Sequence, residues 1–166
     1  MVSLRGLPVG YDRRMQPRIN YAAAAPGAYQ AMAALERYVR SCGLEHPLLE
    51  LIKTRASQIN GCAYCIDMHT KDARAGGETE QRLYALAAWR ETPFFTPRER
   101  AALEWTEALT LIAGSDVPDD LYHRVREHFS ETEVVNLSLA IIGINGWNRL
   151  AIPFRSVPGS YQPGSR

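Results

Sequence analysis

The chain has 166 residues, 46% of them apolar and 22% charged, and its 19 basic and 18 acidic side chains leave a formal net charge of +1. That length suits one domain with a proper core. A near-neutral chain with scattered Lys and Arg lacks a polyanion-binding surface, so nucleic acid is not an expected partner. No run approaches the ~20 apolar residues of a membrane helix: the best, Val134 to Ile144, is too short and contains Asn136 and Ser138. The N-terminus carries Arg5 with no continuous apolar stretch behind it, so no secretory signal is expected. Three cysteines are an odd number in a chain too long to need stapling, and the expected compartment is a reducing cytoplasm.

Helix signals dominate along the chain. Pro26-Gly27 introduces a helix over Ala28 to Ser41, with Met32, Leu35, Tyr38 and Val39 near helical spacing and Gly43 as its stop. His46-Pro47 opens a second, lined by Leu48, Leu51, Ile52 and Ile59 and broken at Asn60-Gly61. A third starts at about Cys62 and ends at Gly76-Gly77. A fourth runs from Thr79, a candidate N-cap, to Arg90 on a Leu83, Leu86, Ala87 stripe. After the Pro93 to Pro97 break, Thr96 and Glu99 form a capping box for a long helix through Ile112, stopping near Gly114. Pro118 starts a short helix to His128, and a second capping box, Ser130 with Glu133, leads into Val134 to Leu150. No alternating strand run appears, so the expected fold is all-α, with the first twenty and last fourteen residues irregular.

Chemistry concentrates in Glu50, Cys62, Cys65 and His69, which fall within twenty positions. A CxxC pair spans about one helical turn and can close into a disulfide. His69 follows Cys65 by four residues, so on a helix the two side chains are neighbours. Gly61 before Cys62 puts the pair in a helix first turn, where unpaired N–H groups lower a thiol pKa. His69 can take the Cys65 proton, Glu50 can orient His69 or relay the proton through water, and Cys62 can attack a sulfenic acid on Cys65. The competing readings are two packing cysteines, and zinc, which finds three ligands in Cys62, Cys65 and His69 but no fourth at the usual spacing, Cys42 standing alone upstream. A thioredoxin-type centre needs a βαβ setting that these helices do not offer. His46, His123 and His128 carry no thiol or carboxylate pattern. Asp67 and Asp72 are expected on the outer side of the third helix, with Lys71 and Arg74 for local ion pairs. Trp89, Phe94, Phe95, Trp105 and Trp147 are expected in core or interface rather than a substrate pocket.

The stretch Arg55-Ala-Ser-Gln-Ile-Asn-Gly-Cys62-Ala-Tyr-Cys65-Ile-Asp-Met-His69, preceded by Glu50, resembles the core motif of alkylhydroperoxidase AhpD-like proteins of the carboxymuconolactone decarboxylase superfamily. Every fixed position of that motif (Glu, eleven residues, Cys, two residues, Cys, three residues, His) is matched. The resemblance extends through Ala25 to Tyr29, Ala73 to Glu78, Tyr84 to Arg90 and Asn145 to Arg149, covering about residues 15 to 155. It implies an all-α subunit in a symmetric homo-oligomer, a trimer or hexamer. It also implies a peroxidatic Cys65, a resolving Cys62 and a Glu50/His69 proton relay. Tyr64 departs from the His that the best-known members carry before the second Cys. A phenol with pKa near 10 is no base at neutral pH, but it can hydrogen-bond the relay or shape the entrance.

The expected organisation is thus an N-terminal extension over 1–14, one domain over 15–155 and a tail over 156–166. The expected function is thiol peroxidase chemistry on hydrogen peroxide or organic hydroperoxides, re-reduced by an external dithiol or thioredoxin-like donor, with no metal, haem or flavin. Two alternatives stand beside it: a redox-sensing oligomer switched by the Cys62–Cys65 disulfide, and a lactone decarboxylase, whose acid/base chemistry needs no CxxC.

Overall fold

The structure, a computed structural model, describes residues 16–114 and 116–164. The extension expected over 1–14 lies outside the described residues. Those described form α1 (Tyr21–Ala24), α2 (Pro26–Ser41), α3 (His46–Asn60), α4 (Ala63–Ala75), α5 (Glu80–Ala85), a 3-10 segment (Leu86–Glu91), α6 (Pro97–Thr110), α7 (Asp119–Arg126) and α8 (Glu131–Phe154). Among them there is no strand, and no helix is long and apolar enough to cross a membrane.

α3 is the axis of the fold, packed by α4, α6 and α8. Nine of its fifteen residues are buried, among them Leu48, Leu49, Leu51 and Ile52. A helix covered on every side keeps few positions for solvated polar groups. Glu50 and Lys53 are nevertheless inside it, each 1% exposed, so their charges must find partners within the protein. The main core joins α3 to α6, α7 and α8 through Leu49, Ile52, Ala102, Val125, Leu137 and Ile141. A smaller cluster surrounds the cysteine pair: Ala56, Ile144 and Ala151, with Tyr64 and Trp147 against it.

Side-chain caps fix the helix starts. Thr96 with Glu99 and Ser130 with Glu133 both close complete capping boxes. Thr79 Oγ1 accepts from Arg82 N–H at 3.3 Å. The helix expected from Thr79 to Arg90 is instead divided: α5 ends at Ala85, and Ala88 (φ −118°, ψ 33°) interrupts the 3-10 segment. α8 runs four residues beyond the expected end at Leu150 and holds Pro153 in its last turn. α1, a single turn capped by Asn20, has no counterpart in the sequence reading. α6 ends at Thr110 and α7 at Arg126, each two residues short of the expected Ile112 and His128.

The described residues past α8, 155–164, are irregular and lie along α4, whereas residues 153 and 154 of the expected irregular stretch belong to α8. Lys71 Nζ donates to the Gly159 and Tyr161 carbonyls at 3.3 and 3.2 Å, and Gly159 N–H donates to Asp67 Oδ2 at 3.0 Å. Asp72 accepts from Tyr161 Oη at 2.6 Å, so the surface expected to hold only local ion pairs is partly covered.

Gly61 sets the distance between α3 and α4. At φ 69° and ψ 32° it adopts the left-handed conformation that ends α3, with Gly61 and Cys62 N–H closing onto the Gln58 and Ser57 carbonyls. An added Cβ would meet nothing within 4 Å. Gly61→Ala is therefore expected to cost only the conformational penalty, about 1 kcal/mol, seen as a lower urea midpoint with an unchanged slope.

Candidate active site

Cys62 is the N-cap of α4 and Cys65 its third residue. Their sulfurs lie at disulfide distance across a Cα separation of 5.4 Å, and Cys62 Sγ also accepts from Cys65 N–H at 3.4 Å. Both residues are 1% exposed. Cys42, half-buried, stands apart and donates its S–H to the Val39 carbonyl.

One turn further along α4, His69 meets Glu50 from α3, with Nδ1 2.8 Å from Glu50 Oε2 and both side chains almost completely buried. An ionised carboxylate only accepts, so His69 Nδ1 carries the proton of this hydrogen bond. Burial pushes the Glu50 carboxyl up. The His69 hydrogen bond, with the charges of His69, Lys53 and His46, outweighs that and holds it down at about 2. Glu50 Oε1 has no hydrogen-bond partner among the described residues. Its charged neighbours are His46 Nε2 at 3.7 Å and Lys53 Nζ at 4.0 Å.

A cavity of about 570 Å³ opens onto this group between α2, α4 and α8. Cys65 and His69 line it; Cys62 and Glu50 do not. Its walls are aromatic, with Tyr21, Tyr29, Tyr64 and Trp147, and Tyr29 stacks edge-on against Trp147 at 5.7 Å. α2 and α8 approach closely at Gly146, where an added Cβ would stand 2.9 Å from Met32 Cε, the movable end of a flexible side chain. Arg37 and Arg40 bring cationic groups to the same cavity from α2. Desolvation, with Tyr64 and Tyr29 nearby, raises the Tyr21 phenol above its ordinary value, although a Ser156 hydrogen bond works against the rise.

Glu50, His69 and Asp72 present donor atoms within 4.8 Å of one another, the one group among the described residues that could hold a metal ion. The buried Lys53 ammonium, 4.0 Å from Glu50 Oε1, opposes a cation there. The geometry is that of a thiol pair beside a charge-coupled acid and imidazole.

The four residues singled out in the sequence are brought together, and Tyr64 joins the cavity wall beside them. Trp147, expected in core or interface, faces the cavity as well as packing on the cysteine cluster. His46, read as lacking a carboxylate pattern, stands one turn before Glu50 and approaches it; the i,i+4 spacing was the available signal. Lys53 and Glu36 were missed. Lys53 follows Glu50 by three residues, whereas Glu36 arrives from α2 with no local signal.

Fold and site together define an all-α protein built around a buried cysteine pair and a carboxylate–imidazole couple. The profile of the carboxymuconolactone decarboxylase family matches residues 26–108, and the chain belongs to that family, in its AhpD-like group. The uncharacterized Bacillus subtilis (strain 168) protein YdfG is 52% identical over 138 residues, covering 83% of this chain and 94% of that protein. A crystal structure from Agrobacterium tumefaciens, of a protein of unknown function named for AhpD-type antioxidant defence, superposes with a TM-score of 0.85 at 50% identity, over 88% of this chain and 100% of that one. The alkylhydroperoxidase AhpD core of a peroxidase-related protein from Ralstonia eutropha JMP134 shares the fold, with a TM-score of 0.75 at 21% identity over 84% and 74% of the two chains.

Proposed function

We propose that this protein is a thiol peroxidase that reduces hydrogen peroxide or organic hydroperoxides through Cys65 and Cys62. The carrying observation is that Cys65 and His69 line the cavity while Cys62, within bonding distance of Cys65, does not. A peroxide entering from solvent meets one sulfur, with a base beside it and the second sulfur behind.

In the reduced protein His69 Nε2 takes the Cys65 proton, and Glu50 stabilises the imidazolium through Nδ1. The thiolate attacks the terminal peroxide oxygen: an S–O bond forms, the O–O bond breaks, and the leaving alkoxide takes the proton from His69. Cys65 becomes a sulfenic acid. The Cys62 thiol then attacks the Cys65 sulfur, forming S–S and breaking S–O, and hydroxide leaves with a proton as water. An external dithiol or thioredoxin-like donor supplies two electrons and two protons to restore both thiols. Tyr64 presents a hydroxyl at the entrance that can hydrogen-bond the incoming peroxide.

The working unit we infer is one domain over 15–155, assembled as a symmetric trimer or hexamer in the cytoplasm. Such an assembly would cover exposed apolar side chains such as Val135 and Ile142 on α8, which are 66% and 59% exposed. The test is steady-state reduction of cumene hydroperoxide and hydrogen peroxide with excess dithiothreitol. Sustained turnover supports the enzyme. A single stoichiometric oxidation to the disulfide, without cycling, replaces it by a redox switch.

A further inference from the structure

Lys53 is a full-length lysine side chain 1% exposed on the central helix, and the peroxidase steps above do not use it. Its Nζ lies 2.5 Å from Glu36 Oε1 and 4.0 Å from Glu50 Oε1. Glu36 belongs to α2 and lines the cavity, with its side chain 14% exposed. A line of alternating charge therefore runs from the cavity wall inward, from Glu36 to Lys53 to Glu50 to His69, and meets Cys65 on the next turn of α4. Glu50 spends one oxygen on His69; the other, buried and without a hydrogen bond among the described residues, faces the ammonium.

Resting on the peroxidase reading, we propose that Lys53, anchored by Glu36 at the cavity wall, is a positioning residue that sets the charge state of the Glu50–His69 couple and so the pH at which the Cys65 thiol becomes reactive. Three observations support a role beyond packing. An isolated buried ammonium is costly unless paired, and an apolar residue of similar volume would fill the space without that cost. The pair is not a closed structural bridge, because its other side faces Glu50 Oε1, the one buried carboxylate oxygen without a hydrogen bond among the described residues. The Lys53 charge is also among the influences that hold the Glu50 carboxyl low.

The groups facing Glu50 and Lys53 come from three helices. α2 brings Glu36 and Arg40, whose Nε is 3.5 Å from Glu36 Oε1. α3 itself brings His46, and α4 brings His69, Asp72 and Cys65. Removing the Lys53 charge leaves this set more negative, which disfavours a thiolate and moves Cys65 ionisation to higher pH. Removing the Glu36 charge acts in the opposite sense, because the ammonium stays and loses its competing anion. Opposite signs from two members of one ion pair cannot arise from a purely structural role, in which breaking either side loosens the same contact.

The experiment is the pH dependence of Cys65 alkylation by iodoacetamide in the reduced full-length protein, followed by mass spectrometry on the Cys65 peptide. Lys53→Met is expected to move the alkylation midpoint up by about one pH unit, Lys53→Arg to restore it to within a few tenths, and Glu36→Gln to lower it. An unmoved midpoint in a folded Lys53→Met overturns the proposal, as does a Glu36→Gln midpoint that rises or stays where it is. Should Lys53→Met fail to fold, Glu36→Gln carries the test: a lowered midpoint supports the proposal, and an unmoved or raised one overturns it. Because alkylation reads the thiol without peroxide, a wild type that never turns over peroxide defeats the peroxidase reading and leaves this result standing.

Discussion

Cys65→Ser is expected to abolish peroxide turnover, lowering dithiothreitol-driven reduction of cumene hydroperoxide at least a thousand-fold. A serine hydroxyl remains protonated at neutral pH and attacks the O–O bond far more weakly than a thiolate, even with His69 in place. Cys62→Ser gives a different defect. Cys65 still faces the cavity and still reacts once, but no sulfur stands at bonding distance behind it to expel water. One equivalent of peroxide should be consumed per subunit, leaving a sulfenic acid that dimedone traps as a mass adduct on the Cys65 peptide. Any remaining turnover then depends on dithiothreitol reaching Cys65 directly and should vary with its concentration. If Cys62→Ser is the dead variant and Cys65→Ser consumes one equivalent, the two roles are reversed.

How much of this was legible in the sequence follows the range of the interactions. The cysteine, imidazole and carboxylate positions lie on two consecutive helices joined by Gly61, so their convergence is a local matter of helical spacing and one left-handed residue. The capping boxes at Thr96 and Ser130 are equally local and were readable for the same reason. The failures have partners elsewhere in the chain. The helix expected through Arg90 is divided at Ala85, and the segment after it is held from α6, with Arg100 donating to the carbonyls of Trp89, Arg90 and Thr92 at 3.0–3.1 Å. α8 outruns its expected end because Arg18 donates to the carbonyls of Pro153 and Phe154 at 3.0 Å each. The cavity has the same origin. Its aromatic wall joins Tyr21 and Tyr29 to Trp147 across more than a hundred residues, and its buried ion pair joins α2 to α3. Neither is a pattern within one segment.

Replacing the Glu50 carboxylate should change both the chemistry and the response of the fold to acid. Folded, the carboxyl is held at about 2, below its ordinary 4.5. The unfolded chain therefore binds more protons between those values, and stability rises with pH across that interval. The contribution is fully present above about 4.5, fades as the pH falls, and is gone below about 2. A shift of that size corresponds to at most about 3 kcal/mol at neutral pH. Glu50→Gln keeps the shape and can still accept from His69, but it cannot hold an imidazolium or answer the Lys53 ammonium 4.0 Å away. In urea titrations the variant should be less stable than wild type at pH 7 by roughly 2–3 kcal/mol, and the gap should shrink to about half by pH 3. Carboxylates held low outside the site, such as Glu133 under the Ser130 backbone N–H and beside Arg98, contribute to the acid slope of both proteins and cancel in the difference. Turnover should fall with the charge, because thiolate formation at Cys65 leaves a cation on His69, whose Nδ1 lies 2.8 Å from Glu50 Oε2. A variant as stable as wild type at pH 7, or a gap that does not change with pH, would mean that Glu50 is not ionised in the folded protein, and the relay assigned to it would have to be abandoned.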